Sequence, residues 1–286
     1  MKYCSQAVSA DQHEFYPKRS ASTNLVQFTS YCLRNIDAGS QVDAIYTERK
    51  SAFDRVGHGI SLLKLSELGI SDDLISWFRS YLTDRRLCVK IGSVSSKSFS
   101  NMSGVPQGSN LGPLLFSIFI NELSILLPPG CRLFYADDVK LYITVKRIDD
   151  CHVLQQWIDI FEEWCSRNLL TISINKCNAI TFHRKLNPIT YNYSISNQPL
   201  VRVDHIRDLE VILDSGLSFH LHYDKIITKA NRQLGFILKI CNEFCDPHCI
   251  RSLYCGLVRS ILESNAVVWC PYQHTWKNRF ESVQIR

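Results

Sequence analysis

Two adjacent aspartates, Asp137 and Asp138, stand between two apolar runs, Leu133-Phe134-Tyr135 and Val139 to Ile143. Short apolar runs rich in aromatic and β-branched residues, parted by a polar break, read as the strands of a hairpin with Ala136-Asp137-Asp138 at its tip. This feature constrains the fold most, because a lone hairpin is barely stable and must join a larger sheet. It also needs an explanation, since like charges at one tip repel and a merely polar turn would more often use Asn-Gly or Asp-Gly. A hard divalent cation resolves the conflict, as Mg²⁺ prefers carboxylate oxygen and neutralises the pair. Taken alone, the two residues read more readily as a solvated acidic turn, because exposed acidic turns are common.

The neighbouring segments supply the rest of a sheet and its helices. Val42-Asp43-Ala44-Ile45-Tyr46-Thr47 reads as a strand, and Ser51-Ala52-Phe53 turns from it into a helical region. Ser71 caps a helix with Asp72 and Asp73 in its first turn and Leu74, Ile75, Phe78 and Leu82 as its buried stripe. Residues 87–91 read as a strand, and a glycine-punctuated loop, Ser103 to Gly112, leads into a helix that Pro113 starts and Pro128-Pro129-Gly130 ends. After the hairpin comes an amphipathic helix with Leu154, Trp157, Ile158, Phe161 and Trp164 on its core face, then strands near 170–174 and 179–183. Beyond about residue 222 the pattern is helical. The order predicts an α+β sandwich, with helices on one face of an antiparallel sheet, followed by a helical subdomain.

Composition excludes several alternatives. With 286 residues, 45% hydrophobic and 21% charged, and only 12 Gly and 9 Pro, the chain is neither collagen-like nor low-complexity. Its net charge of +5 is spread thinly, which permits a polyanionic partner without demanding one. No apolar run is long enough to span a bilayer, so no membrane association is expected. The 12 cysteines, without an apolar signal core at the start, suit a reduced intracellular compartment. Cys241, Cys245, His248, Cys249 and Cys255 invite a zinc reading, but C-x2-C pairs are absent, and Phe244, Ile250, Leu253, Leu257 and Ile261 interleave at helical spacing. Buried structural thiols are the expectation there.

Phe134-Tyr135-Ala136-Asp137-Asp138-Val139-Lys140-Leu141-Tyr142, preceded by Ser103-Gly104-Val105-Pro106-Gln107-Gly108-Ser109-Asn110-Leu111-Gly112-Pro113, resembles the reverse transcriptase domain of non-LTR retrotransposons, within them the Jockey-like group. The resemblance continues through Ala52-Phe53-Asp54-Arg55-Val56, Trp164-Cys165, Lys176-Cys177, Asp208-Leu209 and Leu217-Ser218-Phe219. It implies a polymerase palm, a ferredoxin-like antiparallel sheet with helices on one face, joined to partial fingers and an incomplete helical thumb. Residues 1–40 are then a remnant of the fingers, 41–185 the palm, and 186–286 the primer grip and partial thumb.

The implied activity is RNA-directed DNA polymerisation, a nucleotidyl transfer whose partners are an RNA template, a DNA primer and deoxynucleoside triphosphates. Two Mg²⁺ ions roughly 3.5–4 Å apart, with Mn²⁺ a possible substitute, stabilise the attacking and leaving oxygens. The resemblance assigns carboxylates to Asp137, for direct coordination, Asp138 and, at the third position, Glu48. It puts Phe53 under the nucleotide sugar, Gln107 and Gly108 beside the nucleotide or template, and Lys176 near the departing pyrophosphate. Gly104, Gly108 and Gly112 let the backbone approach the nascent base pair. Nuclear residence follows from where such elements integrate.

Several positions depart from the family pattern. Glu48 stands where an aspartate is expected, and its extra methylene displaces a carboxylate that Mg²⁺ holds at about 2.0–2.1 Å. Asp43 is no substitute, because odd spacing turns it to the opposite face of the strand, and Asp54 lies beyond in the helical region. Glu210 replaces a glycine in the primer-grip turn, and Glu14 likewise stands at a glycine position. By the same resemblance, the upstream fingers and an endonuclease domain are expected to be missing and the chain to stop within the thumb. The expectation is a truncated, partly degenerate domain with strongly reduced activity, or a catalytically dead remnant that at most binds nucleic acid. A cysteine-based zinc module is the third alternative.

Overall fold

The computed structural model describes residues 8–241 and 246–284. Among the described residues the first helix is α1, Ala21–Asp37, which Ser20 opens by accepting from the Thr23 amide in a reciprocal capping box. Then come β1 (Gln41–Thr47), a 3₁₀ turn (Ala52–Arg55), α2 (His58–Glu67) and α3 (Asp72–Leu82). After four two-residue strands follow α4 (Gly112–Ile120), β2 (Arg132–Tyr135), β3 (Asp138–Val145), α5 (Ile148–Arg167) and β4 (Asn178–Phe182). Strands β5 (Val201–Arg202), β6 (His205–Asp208) and β7 (Val211–Asp214) precede α6 (His220–Ile240), α7 (Pro247–Tyr254) and α8 (His274–Gln284).

The main sheet has the order β5-β4-β1-β3-β2, antiparallel except where β5 runs parallel to β4. Alternation along β1 divides the core. Ile45, with Leu141 and Val145 of β3, packs against Leu154, Ile158, Phe161 and Trp164 of α5 and against α4. Val42 and Ala44, with Tyr142, Ile180 and Phe182, pack against Leu25, Phe28 and Ile36 of α1. Helices α4 and α5 thus form the expected layer on one face. The opposite face is equally apolar and is closed by α1 together with Phe219, Tyr223 and Trp269. A third cluster joins α6 to the helices after it through Ala230, Leu234, Val258 and Val283.

Several local expectations are corrected. The strand expected at 87–91 is two, Arg86–Leu87 and Lys90–Ile91, which pair in separate short ladders with Phe99–Ser100 and Val94–Ser95. Residues 170–174 make only an isolated bridge, Ile172 to Arg49, before a 3₁₀ turn at Ile174–Lys176. Leu74 is 53% exposed, because α3 packs mainly on α2 and only Leu82 is fully covered. The helix from Pro113 breaks at Asn121, whose side chain accepts from the Ser9 amide at 2.7 Å, and resumes at Leu123–Leu126. Cys241 and Cys249 are half-buried and Cys255 is exposed, so the thiols there are not core groups. Phe244 and Cys245 lie outside the described residues.

Candidate active site

The register of the sheet assembles the site. Thr47 pairs with Val139, so one step further along both strands Glu48 and Asp138 fall at the same sheet edge. Beyond β1 the backbone continues into contact with the segment after α5. The Ser173 amide donates to the Glu48 carbonyl at 2.8 Å and the Lys50 amide to the Thr171 carbonyl at 2.9 Å. The 3₁₀ turn at Ile174–Lys176 then brings Lys176 back, and its ammonium forms an ion pair with the Glu48 carboxylate. That hydrogen bond and the Glu48 charge raise the Lys176 pKa above its ordinary value.

The hairpin closes with Tyr135 opposite Asp138. Ala136 occupies the left-handed region at φ +49°, which a residue with a Cβ enters only at a cost. Two side chains hold this turn. Gln12 Oε1 accepts from the Ala136 amide and from the Glu14 amide, both at 3.2 Å. Arg49 Nη2 donates to the Asp137 carbonyl from the other side. The segment bearing Gln12 is itself fixed along β2, with the Phe134 amide donating to Asp11 and the His13 amide to Phe134, each at 3.0 Å.

Asp137 is half-buried, whereas Asp138 is exposed along the cleft. Surrounding protein, then the charges of Asp137, Asp208 and Glu48, push the Asp138 carboxyl up to about 6, with Arg49 opposing. Glu14 is raised to about 6 by burial and by Asp137 and Asp138. Oxygen-only donors with uncompensated negative charge match the chemistry of a hard divalent cation. Asp137 and Asp138 fit that role. Glu48 does not join them, because its carboxylate is committed to Lys176, and among the described residues no group of three His, Cys, Asp or Glu side chains is close enough to hold an ion.

The glycine-rich loop docks on the turn after β1. The Gly104 amide donates to the Val56 carbonyl at 2.8 Å and the Val105 amide to Phe53 at 2.9 Å. A Cβ on Gly104 would come within 2.7 Å of Asp54 Cα and carbonyl oxygen, so this glycine serves close packing of the chain on itself. Gly108 sits in open space at φ +75°, where only its backbone freedom is at issue. Gln107 donates to Asp54 Oδ1 at 2.8 Å, an exposed contact, and Phe53 is half-buried and stacked on Phe116 with centroids 4.1 Å apart.

A cleft of about 280 Å³ separates the carboxylate tip from the β6–β7 hairpin, with Glu48, Asp138, Lys176, Arg207 and Asp208 on its walls. The hairpin is anchored by a buried ion pair, Lys140 to Asp208. Tyr46 also donates to Asp208 at 2.9 Å, and the Lys140 ammonium lies 4.2 Å from the Phe28 centroid. At the hairpin turn Leu209 and Glu210 both have positive φ, 43° and 75°, and Glu210 pairs with Arg207 rather than reaching into the cleft. Sequence reading missed the parts played by Gln12, Arg49, Tyr46 and Lys140. A signal existed for Lys140, which shares a strand face with the buried Tyr142 two residues on.

A family model described as reverse transcriptase (RNA-dependent DNA polymerase) matches residues 1–236. The chain belongs to the reverse transcriptase family. It is 29% identical over 290 residues to the probable RNA-directed DNA polymerase from transposon BS of Drosophila melanogaster, covering 96% of this chain and 32% of that protein. To the RNA-directed DNA polymerase from mobile element jockey of Drosophila funebris it is 27% identical, over 79% of this chain and 26% of the relative. To the X-element polymerase of Drosophila melanogaster it is 29% identical, over 70% of this chain and 22% of the relative. The chain spans a third or less of the length of these transposon and mobile-element polymerases. Apo telomerase from Candida Tropicalis shares the fold, with a TM-score of 0.54 at 11% identity over 98% of this chain and 46% of that one. No helix among the described residues is long and apolar enough to cross a membrane.

Proposed function

We propose that this reverse transcriptase domain carries out RNA-directed DNA synthesis, with an RNA template, a DNA primer and deoxynucleoside triphosphates as its partners. The observation that carries this reading is the hairpin tip, where Asp137 and Asp138 reach the edge of the sheet beside Glu48 and open on the cleft. In this reading Asp137 and Asp138 hold Mg²⁺, or Mn²⁺ in its place. Ions held there would supply Lewis-acid stabilisation of the negative charge on the reacting phosphoryl oxygens. Gln107 and Gly108 line the path of the nucleotide or template, and Phe53, backed by Phe116, supports the sugar. Lys176 faces the leaving group with a positive charge, but only once it has released Glu48. Residues 41–185 serve as palm and the β6–β7 hairpin as primer grip. An intracellular, reducing setting, the nucleus included, suits the described cysteines, which are free thiols.

The Glu48–Lys176 pair favours a second reading, a weakened or inactive copy that retains nucleic-acid binding. Primer extension on an RNA template with Mg²⁺ or Mn²⁺ separates the two. Slow extension that Asp137→Ala abolishes and Glu48→Asp accelerates by about 10²-fold, the scale of a 1 Å correction in placement, supports the polymerase. No extension even with Glu48→Asp leaves the inactive copy.

A further inference from the structure

Arg49 follows Glu48 directly, and successive side chains of an extended segment point to opposite sides. While Glu48 meets Lys176 in the cleft, Arg49 goes into the protein, where it is 2% exposed. Its guanidinium carbon lies 5.9 Å from the Phe116 centroid, 5.9 Å from Phe161 and 6.0 Å from Trp164. Nη2 donates to the Asp137 carbonyl, whereas Nε and Nη1 are buried without a partner. No carboxylate among the described residues forms an ion pair with it.

A guanidinium in this condition is costly, and the three ring faces return only part of the cost. An apolar side chain of similar length would fill the same space without the penalty, as buried charges exchanged for hydrophobic residues commonly demonstrate. Packing therefore does not account for an arginine here. What an apolar residue could not do is donate to the Asp137 carbonyl. The tip needs such a hold, because Ala136 is in the left-handed region and the ladder ends at Tyr135 and Asp138.

We infer that Arg49 is a positioning residue, which clamps the Asp137 carbonyl from inside the protein while Gln12 holds Ala136 from the other flank, and so fixes the aim of Asp137 and Asp138. The inference rests on the reading of those aspartates as the catalytic pair. It adds a residue that acts through the turn backbone and touches no substrate.

Arg49→Met and Arg49→Lys test it, with thermal midpoint, amide hydrogen exchange and Mn²⁺ titration calorimetry as readouts and Asp137→Ala as the reference for site-specific binding. The Met variant is expected to keep or raise the midpoint while amide exchange across 135–139 quickens by about tenfold, the consequence of losing one charge-assisted hydrogen bond. Exchange in α5 stays unchanged, and Lys, which retains a donor, restores part of the protection. Mn²⁺ affinity falls in the Met variant although removal of a positive charge would by itself strengthen cation binding. Unchanged exchange at 135–139, or tighter Mn²⁺ binding, overturns the inference. Should the Met variant not fold, Arg49→Lys decides: faster exchange confined to 135–139 supports the clamp, and loss of protection throughout the sheet overturns it. A wild-type chain that neither binds Mn²⁺ nor extends a primer sinks the polymerase reading but leaves the exchange comparison intact.

Discussion

The Lys176 ammonium and the Glu48 carboxylate form an ion pair that joins the end of β1 to the 3₁₀ turn before β4, across 128 residues of sequence. The pair occupies a carboxylate that stands at the same end of the sheet as Asp138. Both side chains are substantially exposed, at 63% for Lys176 and 40% for Glu48, so the pair contributes little to folding. Lys176→Met is therefore expected to leave the thermal midpoint in place and to strengthen Mn²⁺ binding several-fold, because Glu48 loses its competing cation. Isothermal titration of Mn²⁺ into wild type and variant measures this, and equal affinities would show that Glu48 takes no part in cation binding.

The Asp138 carboxyl offers a second test, through pH. Its folded pKa is raised to about 6, so between about 4 and 6 the folded state holds a proton that the unfolded chain has released. The contribution of Asp138 to stability is thus most favourable at low pH and is lost as pH rises through that window. His13 and His222 are depressed to about 4 by burial and act in the opposite sense, but they do so equally in a variant at position 138. Asp138→Asn, which mimics the protonated acid, should match wild type near pH 4 and become progressively more stable than it toward pH 7. Thermal midpoints of the two proteins across this range give the answer, and a constant difference would mean that Asp138 titrates normally.

Lys140 and Asp208 form a pair of a different kind, since their side chains are 6% and 5% exposed. Removing one partner leaves the other charged and buried, which typically costs about 3–5 kcal/mol. Lys140→Met is expected to destabilise by that amount and to loosen the β6–β7 hairpin, because Asp208 is its tie to Tyr46 and β3. The double variant Lys140→Met with Asp208→Leu should recover most of the loss. Urea denaturation of both proteins tests the coupling, and additive losses would refute it.

The sequence was legible where local pattern and tertiary role coincide. β1 was readable because Val42, Ile45 and Thr47 suit a strand, and α5 because Leu154, Ile158, Phe161 and Trp164 recur at helical spacing. The hairpin with Asp137 and Asp138 was readable because apolar strands flank an acidic break. Leu74 failed because an apolar residue at the right spacing says nothing of how many neighbours its helix has. Residues 170–174 failed because β1 ends at Thr47, so Ile172 meets only an isolated bridge with Arg49 beyond it. Arg49 and Lys140 were given no part of their own, since their burial depends on aromatic rings and on Asp208, all distant in sequence. Glu48 and Lys176 were each read by themselves, because nothing in the sequence reveals that the turn at 174–176 folds back and pairs the two.

Glu210 offers the last test, because strain and charge can be separated there. The β6–β7 turn runs through Leu209 at φ 43° and Glu210 at φ 75°, two successive left-handed residues of the kind that Asn-Gly supplies in a tight hairpin. A side chain at Glu210 costs roughly 1 kcal/mol in that conformation, which glycine would not incur. The compensating ion pair with Arg207 is exposed and screened, so it offsets only a fraction of the strain. Glu210→Gly should therefore raise stability by somewhat less than about 1 kcal/mol, with the urea midpoint moving and the slope constant. Glu210→Gln removes the charge but keeps the Cβ and should not stabilise. If the two variants behave alike, the charge rather than the backbone governs this turn. If only the glycine variant gains, Glu210 acts on this turn through backbone strain.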